Sequence, residues 1–161
     1  MRRVDTNYLL NGFTLVELLV VIATITVLMF LAVIAYRSQV FKGYDARRKT
    51  DIYQIKIALE EYEKDNNCYP QALPACEPGN GLQPYIPKIP CDPGDKTDYV
   101  YTPDTSGSTC PKWYWIFTTL DNENDPQIEE LGCQNGCGPT LGTANYNYYQ
   151  TSPNAPEPAK K

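Results

Sequence analysis

The chain has 161 residues, a net charge of −5 and no histidine. That length holds one ordinary domain plus an anchor, the missing histidines remove the commonest general base and metal ligand, and the acidic balance leaves no nucleic-acid footprint. Hydrophobic residues make up 42% of the chain, yet mean hydropathy is −0.43, so the apolar residues must be concentrated in one place.

They lie near the N-terminus. Residues 13–36 carry one charge, Glu17, and neither glycine nor proline. A bilayer crossing needs about 20 apolar residues, so this run spans one with some tilt. A secretory signal peptide would suit Arg2 and Arg3, but its apolar region runs only about 7–15 residues and holds no acid. A plain signal anchor explains the length and leaves Glu17, which is costly in lipid, without a purpose. Arg37, Lys42, Arg47, Arg48 and Lys49 follow the run, so the flanking charges do not fix its orientation.

Beyond Tyr36 the pattern stays helical and turns amphipathic. Ile52, Ile55, Leu59 and Tyr62 form one stripe, expected to pack on a small sheet, while Arg48, Lys49, Asp51, Lys56, Glu60, Glu61 and Lys64 are assigned to solvated sides. The helix is expected to end near Asn66 and Asn67, ahead of Tyr69-Pro70, with Gly43 as its soft point. Residues 68–97 are rich in Pro, Gly and Cys and read as an irregular connection. Alternation over residues 98–102 and 113–118, around turn chemistry at 104–108, predicts a β-hairpin whose aromatics face the helix stripe.

Six cysteines, Cys68, Cys76, Cys91, Cys110, Cys133 and Cys137, all follow the apolar run. An even number there predicts disulfides in an oxidising space, which puts this part outside the cytoplasm. Fifteen pairings are open, and close spacing singles out Cys68/Cys76 and Cys133/Cys137 as local pairs. The absence of C-x-x-C and of histidine argues against zinc. Residues 151–161 are Pro-rich and read as a disordered tail.

The stretch GFTLVELLVVIATITVLMFLAVIAYRSQ resembles the N-terminus of type IV prepilins and type II secretion pseudopilins. The family pattern is a short basic leader, a glycine, an aromatic, then Thr-Leu-x-Glu-Leu-Leu-Val-Val. It is met by Gly12, Phe13, Thr14, Leu15, Glu17, Leu18, Leu19, Val20 and Val21. The resemblance implies that prepilin peptidase removes residues 1–12 by cutting after Gly12 and that Phe13 is then N-methylated. A glycine suits the scissile position because no Cβ obstructs a tight active site. Glu17 then gains a purpose: pairing with the Phe13 amine of a neighbouring subunit cancels much of each charge's penalty in lipid and sets the register between subunits.

A second, looser match to major pseudopilins runs through Asp65, Asn66, Tyr69, Pro70, Pro90, Asp92, Pro93, Tyr99 and Tyr101, with Ile89 where leucine is usual and Gly94 one place early. Major pseudopilins also carry a glycine-rich acidic loop that binds calcium. Residues 120–126 have the oxygens without the glycines, and as an EF-hand the stretch fails at Pro126 and Gly132. It reads as a solvated acidic turn in which Asp121, Glu123 and Asp125 are the carboxylates a calcium ion would use.

The expected fold is therefore α+β, with a long N-terminal helix packed against a small antiparallel sheet. Residues 1–12 are the leader, 13–36 the transmembrane and polymerisation helix, 37–67 its amphipathic continuation, and 68–150 a Cys-rich head. The expected role is a structural subunit of a type IV pilus or a secretion pseudopilus. No nucleophile–base pair supports an enzyme, and no cofactor is expected. Expected partners are related pilin subunits, prepilin peptidase and the cytoplasmic membrane, with the N-terminus inside and the head extracytoplasmic. The alternative is a membrane-anchored extracytoplasmic ligand-binding protein.

Overall fold

The computed structural model describes residues 12–107, 109–139 and 145–160; residues 1–11 of the expected leader lie outside them. The chain divides into two units, Met1–Gln39 and Val40–Lys161. Helix α1, Leu15–Asn66, contributes to both.

In the first unit α1 is exposed over its apolar length. Its segment Leu15–Val33 has a mean hydropathy of 2.7, and none of it is buried within the protein. Such a segment holds its helix in lipid because every backbone group must be satisfied internally. The hydroxyls obey the same constraint, Thr24 bonding the Val21 carbonyl and Thr26 the Ala23 carbonyl.

In the second unit α1 turns one face to the core. Ile52, Ile55, Ala58 and Leu59 are buried, and Gly43 lies inside the helix. The helix stops where expected: Asn67 takes a φ of +54° and donates its N–H to the Glu63 carbonyl. A left-handed Asn after the last turn is a common way to satisfy trailing carbonyls. The solvated assignment of Arg48 and Asp51 is overturned, since both are buried, as is Asp45. Burial is tolerated because each of the three finds partners, as described below.

The sheet is antiparallel, in the order β1 (Val100–Pro103), β2 (Tyr114–Thr118), β3 (Tyr148–Thr151). Tyr101 lies opposite Ile116, which lies opposite Gln150. The expected hairpin is β1–β2; β3 is an addition, a short Tyr-rich strand beyond the reach of the alternation pattern. Because side chains alternate across a strand, Tyr114, Ile116 and Thr118 share one face, and Trp115 and Phe117 share the other. The first face meets α1, where Glu60 accepts hydrogen bonds from Tyr114 (3.1 Å) and Tyr69 (3.0 Å). A short helix, α2 (Pro126–Leu131), follows β2, starting at Asp125 and ending at the left-handed Gly132.

The second face of the sheet is covered as well. Phe117 packs against the tilted rings of Tyr146 and Tyr149, and Trp115 donates its indole N–H to the Pro156 carbonyl at 2.8 Å. Gly138 donates to the Ala159 carbonyl, and Cys137 bridges both Tyr146 and Lys160. The tail read as disordered is thus ordered through Lys160. Composition misled there, because Pro-rich chain needs few internal hydrogen bonds and packs well over exposed indoles.

The disulfides are Cys68–Cys110, Cys76–Cys91 and Cys133–Cys137. The expected Cys68/Cys76 pair is not formed. Tyr69 donates its N–H to the Pro111 carbonyl, which lays the end of α1 beside the approach to β2 and brings Cys68 to Cys110. That bridge closes a separation of 42 residues, which in the chain-entropy view constrains the unfolded chain by about 4 kcal/mol.

Gly138 marks the tightest point of the outer layer. Its φ is +84°, and a Cβ built there would lie 2.5 Å from Phe117. Gly138→Ala is predicted to destabilise the head by about 1–3 kcal/mol through overpacking against a fully buried ring. A thermal melt of the full chain in detergent checks this, and an unchanged midpoint would contradict the packing.

Candidate functional site

Two groups of side chains carry chemistry, one in each unit. In the first, Gly12 and Phe13 are exposed and precede α1. The helix opens with a reciprocal clasp. The Glu17 carboxylate accepts from the Thr14 N–H at 2.9 Å and hydroxyl at 2.8 Å, and the Glu17 N–H donates back to the Thr14 hydroxyl at 3.2 Å. This is a capping box, which satisfies two of the donors a helix start leaves orphaned. Sequence reasoning gave Glu17 one purpose and missed this one, although Thr-x-x-Glu ahead of an apolar run is its signature. The clasp also fixes the carboxylate at the very start of α1.

In the second unit Arg48, with only 5% of its surface exposed, is ringed by carboxylates. Its Nε and Nη2 hold Asp92 with both oxygens, at 2.7 and 3.1 Å. Its Nη1 reaches Asp45 at 2.9 Å and Asp121 at 2.7 Å. Asp45 in turn accepts the N–H groups of Asp121 and Asn122, both at 2.8 Å. Next along the helix, Lys49 pairs with Asp125 at 2.7 Å. Asp92 lies ahead of β1 and Asp121 just after β2. In an antiparallel hairpin those points sit at one end, so Arg48 ties that end of the sheet to α1.

Electrostatics follow from this geometry. Burial works against the charge on Arg48, but hydrogen bonds to Asp92 and Asp121 outweigh it and hold the guanidinium pKa above its ordinary value. Burial would likewise raise Asp92, yet Arg48 and the N–H groups of Gly94 and Asp95 keep it below the usual carboxylate value. Asp51 goes the other way: burial pushes its carboxyl up, against the hydrogen bond from Tyr99.

The acidic stretch does not fit the calcium that the family resemblance implies. Calcium takes about six to eight oxygens converging at 2.3–2.6 Å. Asp121 faces the Arg48 guanidinium, and Asp125 divides its oxygens between Lys49 and the Gln127 N–H that it caps. Glu123 is exposed. Asp125 and Pro126 are helix-start residues rather than loop ligands.

The depressed Asp92 carboxyl ties the stability of the head to pH. A carboxyl with a depressed folded pKa contributes stability that is complete above its unfolded pKa and lost as pH falls through the folded one. Asp92→Asn should therefore cost about 3–5 kcal/mol at pH 7, where it leaves a buried guanidinium short of its main partner. That gap to the unsubstituted chain should hold unchanged to about pH 5 and close below the ordinary carboxylate range. Thermal melts across pH measure it; a gap already closing between pH 7 and 5 would refute the assignment.

Comparison with known proteins adds the family. The type II secretion system core protein G of Pectobacterium carotovorum is 35% identical over 107 residues, covering 59% of this chain and 68% of the relative. Its namesake in Pseudomonas aeruginosa is 31% identical over 109 residues, covering 60% and 77%. That of Escherichia coli K12 is 32% identical over 112 residues, covering 62% and 74%. No family model matches the chain, and no solved structure matches it. Three relatives with one shared name, each spanned over more than two thirds of its length, decide the matter: the chain belongs to the type II secretion pseudopilin family.

Proposed function

We propose that the chain is a structural subunit of a type II secretion pseudopilus, processed after Gly12, N-methylated at Phe13 and polymerised through the apolar part of α1. The observation that carries this reading is the segment Leu15–Val33, with a mean hydropathy of 2.7, Glu17 as its one charge and none of it buried among the described residues. A surface that large and that apolar requires a partner, first lipid and then the equivalent helices of neighbouring subunits. Three disulfides in the head support an extracytoplasmic location for it, with the N-terminus in the cytoplasm. The partners are then related pilin subunits, the prepilin peptidase that also methylates, and the cytoplasmic membrane. The role is that of a structural subunit, in keeping with relatives named as a core protein of a secretion system.

Within this reading Glu17 serves twice. It caps its own helix through Thr14, and its charge faces the methylated amine of the next subunit's Phe13. Cap and charge separate experimentally because glutamine also completes a capping box.

Intact mass spectrometry of membrane-derived protein is expected to show a chain beginning at Phe13 and carrying one extra methyl group. Gly12→Val should leave the leader in place, because a β-branched side chain cannot enter where glycine passes. A mature N-terminus elsewhere would defeat the proposal.

Filament yield, scored by electron microscopy against the amount of processed subunit, tests the charge. Glu17→Gln keeps the cap and is expected to abolish filaments while processed subunit stays abundant. Thr14→Val keeps the charge and should retain filaments at reduced yield. Normal filaments from Glu17→Gln would leave the intersubunit pairing without support.

A further inference from the structure

The family resemblance implies a metal ion where this chain places two cations of its own. We propose that Arg48 and Lys49 take over what a bound divalent cation would do, fixing the 121–125 stretch to α1, so that the head folds without calcium.

The carboxylates of Asp121 and Asp125 already have partners. Asp121 gives Oδ2 to Arg48. Asp125 gives one oxygen to Lys49 and the other to the Gln127 N–H. The same stretch is held a second time through its backbone, because Asp45 accepts the N–H groups of Asp121 and Asn122. A calcium ion able to collect Asp121 and Asp125 would have to sit against a guanidinium and an ammonium, each 2.7 Å from the oxygens it needs. At such distances like charges repel strongly even where water screens them.

The remaining carboxylates of the cluster are equally committed. Asp92 meets Arg48 with both oxygens, and its Oδ1 also accepts from Gly94 and Asp95. Among the described residues, no buried side-chain nitrogen or oxygen lacks a hydrogen-bond partner. The excess of carboxylates over guanidinium is met by backbone N–H groups, which hold anions without adding a mobile charge.

Chemistry on the protein side also favours a permanent cation. A guanidinium stays charged at any physiological pH and binds carboxylates with a fixed fork. It cannot be stripped by a chelator or diluted away on export. Arg48 is therefore the residue that decides whether this head depends on its medium.

The test uses the full chain in detergent, melted in about 1 mM calcium chloride and in excess EDTA, with calorimetric titration of calcium chloride alongside. The expected result is the same midpoint in both media, within about 1 °C, and no saturable heat. A saturable rise of more than about 3 °C with calcium, or stoichiometric binding, would overturn the proposal. Arg48→Gln is expected to melt at least about 5 °C lower in both media. Lys49→Gln, more exposed and less central, should lose about 1–4 °C and keeps the comparison informative if Arg48→Gln does not fold. Variants that melt with the unsubstituted chain would show that these cations are not what holds the stretch in place.

Discussion

Two segments distant in sequence meet α1 at Arg48, and each of the three brings a carboxylate. Asp45 comes from one turn earlier on α1, Asp92 from the connection before β1, and Asp121 from the exit of β2. A guanidinium taken out of water loses several kcal/mol of hydration, and only close, well-aligned partners offset that loss. Here the offset is two-pronged on Asp92, with single contacts to Asp45 and Asp121. Asp121 is 38% exposed at its side chain, so water screens its share and the buried pair with Asp92 dominates. Once that pair forms, the hairpin has one end tied to the helix. The register of the apolar stripe on the sheet is then set, and Asp121 leads the chain on toward the α2 cap.

The same helix answers to two solvents. Over Leu15–Val33 it is exposed, and Glu17 is the only charge in that stretch. From Asp45 onward buried and exposed positions alternate at helical spacing, with Ile52, Ile55 and Leu59 under the sheet and Tyr53 and Ile57 exposed. The first pattern suits a helix that neighbours or lipid must surround; the second suits one that carries a domain. The head completes itself with a third layer, since the chain after β3 returns across Trp115 and locks beside the Cys133–Cys137 loop. That returning chain leaves Trp115 half-buried, and Phe117 beside it is fully buried.

Much of this was legible in the residues, and for physical reasons. A long apolar run with one charge marks the exposed first part of α1, a 3.6-residue stripe marks its continuation, and alternating aromatics mark β1 and β2. Asn67 and Tyr69-Pro70 marked the end of α1. What stayed hidden depended on tertiary partners. Arg48 and Asp51 look like ordinary surface charges until Asp92, Asp121 and Tyr99 come to meet them. Strand β3 is too short to show a period. The tail is ordered by an indole and a disulfide loop, neither visible in its own composition. Cys68 chose Cys110 over the nearer Cys76 because a backbone hydrogen bond, from Tyr69 to Pro111, decided proximity. Two signals were present and unread: Thr14-x-x-Glu17 as a capping box, and Asp125-Pro126 as a helix start.

The central claim, that the buried Arg48–Asp92 pair organises the head, is tested most directly by a double-mutant cycle. Arg48→Met and Asp92→Asn would be measured singly and together by denaturant unfolding of the full chain in detergent. Strong coupling is expected: the second substitution should cost about 1.5–3 kcal/mol less in the presence of the first than alone. Costs that simply add, to within about 0.5 kcal/mol, would show that the two side chains act independently and would contradict it.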